Sequence, residues 1–97
     1  QRSSLTTKAT QIIYDIKNKF MILIDVRTKD EYNAEHIPGA VLHDIMDMMQ
    51  GVFPDIDKNE EVSLYCESGN RSMMAKSLMK QAGFTNVTDA GSIDNLK

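Results

Sequence analysis

The chain has 97 residues, 41% of them apolar and 26% charged, with a formal net charge of −3. That is the make-up of one globular domain with a single core, and it argues against disorder. The mildly acidic balance, without a basic run, argues against a nucleic-acid partner. The longest apolar run, Phe20–Ile24, is too short for a membrane span. A lone cysteine excludes an internal disulfide, and one Cys with two His argues against a structural metal site.

The chain opens Gln1-Arg2-Ser3-Ser4 without an initiator methionine, so the expectation is a processed or excised piece, and the compartment is not read from it. Residues 1–4 are expected to be loose. From Thr6 or Thr7 the pattern turns helical, with Ala9, Ile12, Ile13 and Ile16 on one stripe and Lys17 and Lys19 near the end. Met21–Val26 is a short, near-continuous apolar run and reads as a strand buried on both faces, as in a parallel sheet covered by helices. Asp25 and Arg27 mark its end, either as solvated strand-end charges or as a network, with Glu31 the expected partner of Arg27. Lys29–Glu35 predicts a short helix anchored by Tyr32. His36-Ile37-Pro38-Gly39-Ala40 is turn chemistry leading to a strand at Ala40–Leu42.

Asp44–Met49 predicts a short helix capped by Asp44, its methionines filling gaps in the core. Gly51–Glu60 reads as an exposed loop. Val62–Tyr65 is a strand, and a helix is expected from Ser72 to Ala82, with Met74, Ala75, Leu78, Met79 and Ala82 on its apolar face and Gly83 as the stop. Phe84–Asp89 is the last strand, Ala90-Gly91-Ser92 a turn, and Ile93–Lys97 a fraying tail. Strand–helix alternation with apolar strands predicts an α/β fold with a mostly parallel sheet, in which sites gather at the carboxyl ends of strands. No internal repeat is visible.

Cys66 falls at such an end. A single cysteine there is most often a small buried hydrophobe. Its company changes the reading: Cys66-Glu67-Ser68-Gly69-Asn70-Arg71 is a glycine-containing loop between a strand and a helix. A helix N-terminus offers unsatisfied N–H groups and partial positive charge, which favour a thiolate, the reactive form of cysteine. Gly69 and Asn70 tolerate the positive φ that a cradle of inward N–H groups needs. The candidate site is a nucleophilic Cys66 in an anion-binding loop of Glu67, Ser68, Gly69, Asn70, Arg71 and Ser72. Asp25 and Arg27 are expected to support the sheet end beneath it. His36 and His43 are read as structural.

Three stretches, IDVRTKDEY (Ile24–Tyr32), EHIPGA (Glu35–Ala40) and CESGNRS (Cys66–Ser72), together resemble a rhodanese-like domain of the single-domain thiosulfate sulfurtransferase type. AGFTNVTDAG (Ala82–Gly91) resembles the strand after the family's active-loop helix. The resemblance implies one domain over residues 1–97, a central five-stranded, mostly parallel sheet with helices on both faces, and no cofactor or metal. It implies that Cys66 cycles between thiolate and persulfide, taking sulfane sulfur from thiosulfate or a persulfide, including one on a carrier protein, and passing it to a thiol or cyanide. The fixed charge of Arg71 is expected to fasten the loop or receive an anionic donor.

Two further readings stay open at this point: a non-catalytic interaction module of the same type, whose expected mark is loss of the cysteine, and a cysteine-dependent phosphatase or arsenate reductase. Cys66 to Arg71 spans six residues, one fewer than in the related phosphatases. Glu67 stands where members efficient with thiosulfate more often carry a basic or neutral residue, and a carboxylate there opposes thiolate formation if it points inward. Ser92 replaces the second glycine that many members have after Gly91.

Overall fold

The computed structural model describes residues 21–97. The expected loose segment 1–4 and the helix from Thr6 or Thr7 lie outside the described residues. Among those described, four parallel strands form one sheet in the order β2-β1-β3-β4, with β1 at Ile22–Asp25, β2 at Val41–Leu42, β3 at Val62–Cys66 and β4 at Val87–Ser92. Among the described residues the sheet thus has four strands where five were expected. The four correspond to the four strands read from the residues, the last with shifted bounds; the fifth came from the resemblance alone.

Side chains of a strand alternate between faces, and here both faces are covered. Ile24, Val62, Leu64 and Cys66 pack with Ile45 and Met48 of α2 (Ile45–Met49) and with Ala75 and Met79 of α3 (Asn70–Gln81). Leu23 and Tyr65 pack on the opposite face with Ala40, Ile93 and Tyr32, the last from α1 (Lys29–Ala34). Every residue of β3 is buried, as a central parallel strand requires.

Local chemistry sets the helix starts. Thr28 and Glu31 form a reciprocal capping box at α1, and the Asp44 carboxylate accepts from the Met46 amide at α2. The methionine cluster is core only in part: Met48 is buried, whereas Met46 and Met49 are exposed on the far side of α2. Met74, expected on the apolar face of α3, is likewise half exposed.

The C-terminal segment departs most from expectation. Phe84 packs into the core from a loop, and β4 begins at Val87 and runs through Ala90-Gly91-Ser92, the expected turn. The ladder continues because its register shifts by one residue: Leu64 faces Asp89 and Tyr65 faces Gly91, so Ala90 is extra. Gly91 takes φ +83, which only glycine holds without strain. The expected fraying tail is a 3₁₀ turn, Ile93–Leu96, capped by the Ser92 hydroxyl, with Ile93 buried.

Candidate active site

Cys66 is the last residue of β3 and is fully buried. The chain then turns through Glu67, Ser68 and Gly69 into α3. Gly69 is the N-cap of α3 at φ +100 and offers no side chain to its first turn. The third helical residue, Ser72, therefore has an amide that a capping oxygen would ordinarily take. It donates instead to Cys66 Sγ at 3.3 Å, and the Gly69 amide donates to the same sulfur at 2.9 Å. The sulfur does the work of the missing cap. Burial pushes the Cys66 thiol up, but its hydrogen bonding with Ser72 and with the amides of Gly69 and Ser68 outweighs it, so the thiol lies below its ordinary value.

Ser72 is fully buried and packs its hydroxyl between Cys66 and β4. Its Oγ lies 3.6 Å from Cys66 Sγ and 2.7 Å from Asp89 Oδ1. Asp89 Oδ1 also accepts from the Gly91 amide at 2.8 Å. Ser92 Oγ donates to the Glu67 carbonyl at 2.7 Å and so ties β4 to the cysteine loop.

The two arginines are paired differently from expectation. Arg27 does not reach Glu31. It is buried and makes a bidentate pair with Asp25, Nε to Oδ1 at 2.9 Å and Nη2 to Oδ2 at 2.7 Å. The same guanidinium donates to Glu67 Oε1 at 3.0 Å and to the Glu35 carbonyl at 2.6 Å. Glu67 is thus drawn to Arg27, which it shares with Asp25, so the three groups together keep one negative charge. Asp25 is wholly buried, so the strand-end pair is a network and not a solvated surface.

Glu31 pairs instead with Arg71, at 2.8 and 2.9 Å to its two carboxylate oxygens. The Arg71 hydrogen bonds hold the Glu31 carboxyl down at about 2, against the opposing effect of burial. Arg71 thereby fastens the first turn of α3 to α1. Both arginines that flank the loop have a carboxylate partner, and the loop carries no unpaired guanidinium.

The structure brings Cys66, Gly69 and Ser72 together around one sulfur. Glu67, Arg27 and Asp25 form an adjoining ion network, and Arg71 a second one. The Ser68 and Asn70 side chains are exposed. His36 stacks on Tyr32 with ring centroids 3.7 Å apart, and His43 Nε2 lies 2.9 Å from the Val52 carbonyl; neither belongs to the cysteine site. Sequence reasoning missed Asp89 and the partnership of Glu31 with Arg71. A carboxylate between Thr88 and Ala90 inside a strand was the available signal for Asp89. Among the described residues no cluster of His, Cys, Asp and Glu is arranged to hold a metal ion, and no helix is long and apolar enough to cross a membrane.

The model of the rhodanese-like domain matches residues 8–93. The thiosulfate sulfurtransferase PspE of Escherichia coli is 34% identical over 76 residues, covering 75% of this chain and 71% of PspE. The putative sulfur carrier protein YrkF of Bacillus subtilis is 38% identical over 65 residues; the match covers 67% of this chain but only 35% of YrkF. Among solved structures, the human single-domain sulfurtransferase TSTD1 superposes with a TM-score of 0.74 at 20% identity, covering 90% of this chain and 89% of that one. A rhodanese with anions from E. coli superposes with a TM-score of 0.66 at 32% identity, covering 77% and 89%.

Proposed function

This chain belongs to the family of rhodanese-like domains, and we propose that it is a sulfurtransferase whose Cys66 carries the transferred sulfur as a persulfide. The observation that carries this reading is the Cys66 sulfur itself, buried at the N-terminus of α3 and accepting the Gly69 and Ser72 amides. The thiolate attacks the outer sulfur of a sulfane donor. A bond forms from Cys66 Sγ to that sulfur, the donor's own S–S bond breaks, and the remainder of the donor leaves as an anion. An acceptor thiolate or cyanide then attacks the outer sulfur, and Cys66 returns as thiolate. The loop amides and the helix field stabilise the negative charge on the sulfur in place before reaction, so no reorganisation is needed as charge moves. No general base is required once the thiolate is present.

Among donors, a persulfide fits the charges better than thiosulfate. Thiosulfate is a dianion, and Arg27 and Arg71 are already matched by Asp25 with Glu67 and by Glu31. A thiol persulfide, small or on a carrier protein, brings less charge past Glu67. The same pairing works against phosphate monoesters, which need a free guanidinium and an acid for the leaving alcohol. The test is sulfur transfer to cyanide, followed as thiocyanate, with thiosulfate and with glutathione persulfide as donors. A higher kcat/KM for the persulfide, abolished by Cys66→Ala, is the expected result. A preference for thiosulfate would overturn the donor assignment. Absence of transfer from both donors in the folded protein would overturn the activity and favour an interaction module.

A further inference from the structure

The position of Asp89 has a consequence for the nucleophile. The Ser72 hydroxyl has one proton and several acceptors around it. Its Oγ lies 2.7 Å from Asp89 Oδ1, 3.1 Å from the Gly69 carbonyl and 3.5 Å from the Gly91 carbonyl. Cys66 Sγ lies farther away, at 3.6 Å. The shortest contact is to a carboxylate, and hydrogen bonds to ionised acceptors are the shorter and stronger ones. The hydroxyl proton therefore points to Asp89, and the oxygen turns a lone pair to Cys66. That arrangement suits a thiol, which donates its S–H to Oγ. It does not suit a thiolate, which needs the same hydroxyl to donate.

We infer that Asp89 is a positioning residue that withholds the Ser72 hydroxyl proton from the Cys66 thiolate, leaving the sulfur to be held by backbone amides. The two anions compete for one proton donor. Asp89 is held in place for this by the Gly91 amide and by the irregular stretch of β4, where the extra residue Ala90 follows it. Both Cys66 and Ser72 are fully buried, so water does not substitute for the missing donor. The other charged groups around the loop are Arg27 with Asp25 and Glu67, and Arg71 with Glu31, and each of these is paired. Asp89 has no cationic partner among the described residues, and it is the carboxylate that meets Cys66 through a single hydroxyl.

This inference rests on the reading of Cys66 as the working thiolate, but its test does not depend on sulfur transfer. The measurement is the thiol titration, by ultraviolet thiolate absorbance and by the pH profile of iodoacetamide alkylation, in the native protein, Asp89→Asn, Ser72→Ala and the double variant. Asp89→Asn keeps the acceptor for the Gly91 amide. It frees the hydroxyl to turn to sulfur, and the Cys66 pKa is expected to fall by about one unit, as hydrogen bonding to a charged form does. A thiolate of lower pKa is less nucleophilic, so alkylation should rise about threefold at pH values below both pKa values and fall about threefold above them. The two profiles cross. In the Ser72→Ala background the same Asp89 substitution should shift the pKa by less than half as much, because only the charge is then removed.

Each other outcome overturns the inference. A pKa that rises in Asp89→Asn would make Asp89 a base acting through Ser72. An equal shift in both backgrounds would mean that the carboxylate acts through its field alone. An unchanged titration would mean that it does not act on Cys66. Asp89→Ala, with folding checked by circular dichroism, provides the same comparison should the asparagine variant not fold.

Discussion

Removal of Arg27 tests how the sheet end supports the cysteine loop. In Arg27→Met the buried Asp25 carboxylate loses the bidentate guanidinium, at 2.9 and 2.7 Å, and keeps the amide of residue 27 at 2.9 Å. Both side chains are all but inaccessible to solvent, at 4% and 0% exposed. Breaking a buried pair by removing one partner strands a charge in low dielectric and costs about 3–5 kcal/mol. Set against the roughly 5–15 kcal/mol that holds an ordinary domain folded, that is a large fraction of the stability. The glutamates at 67 and 35 lose a donor as well, Glu67 at its carboxylate and Glu35 at its carbonyl, so the loop loosens along with the core. Replacing Asp25 by Asn in the same chain removes the stranded charge and should restore at least about 2 kcal/mol of the loss, because replacing both members of a buried pair is far less costly than breaking it. Urea unfolding measures both variants, with equal m-values required for the comparison. A loss below about 1 kcal/mol in Arg27→Met, or a double variant no more stable than the single one, would refute the account of a buried, mutually dependent pair.

Two other perturbations follow from the same geometry. Glu31 is held at about 2 in the folded chain, below an ordinary value of 4.5. Its pairing therefore stabilises the fold above about pH 4.5 and is lost as the pH falls towards 2. With the pair about a third exposed, screening leaves about 1 kcal/mol of that stabilisation. Glu31→Gln should flatten the acid limb of the stability profile by that amount, and identical slopes in the two proteins would contradict it. Gly69→Ala meets nothing nearer than 3.8 Å with its new Cβ, so its cost is the strain of positive φ alone. A loss of about 1–2 kcal/mol in urea unfolding is expected, together with a raised Cys66 pKa as the Gly69 amide shifts from the sulfur. An unchanged thiol titration would show that this amide does not support the thiolate.

Much of the architecture was legible because it rests on local pattern. Apolar runs too short for helices lie where β1 and β3 lie, and Asp44 caps its helix as its side chain suggests. The cysteine loop was legible for the same reason: a strand, a glycine able to take positive φ, and an amphipathic helix are contiguous in the chain. Partnerships across the fold were not. Which carboxylate meets which arginine depends on how far α1 stands from α3, and nothing in the spacing of Arg27 and Glu31 shows that Glu31 faces Arg71 instead. The end of the chain failed on a finer point. Ala90-Gly91-Ser92 has turn composition, yet a one-residue bulge lets it continue the ladder, and Ile93 is buried by contacts from Leu23 and Tyr65 far away in sequence. Asp89 was hidden likewise, since its meaning comes only from Ser72 arriving beside it.

The most direct test of the account is the intact mass of the protein after brief incubation with a persulfide donor, beside Cys66→Ala treated alike. The expected result is a gain of one sulfur atom on the native chain, reversed by cyanide or excess thiol, and no gain on the variant. A native chain that stays folded and gains nothing, or a variant that gains the same sulfur, would contradict it.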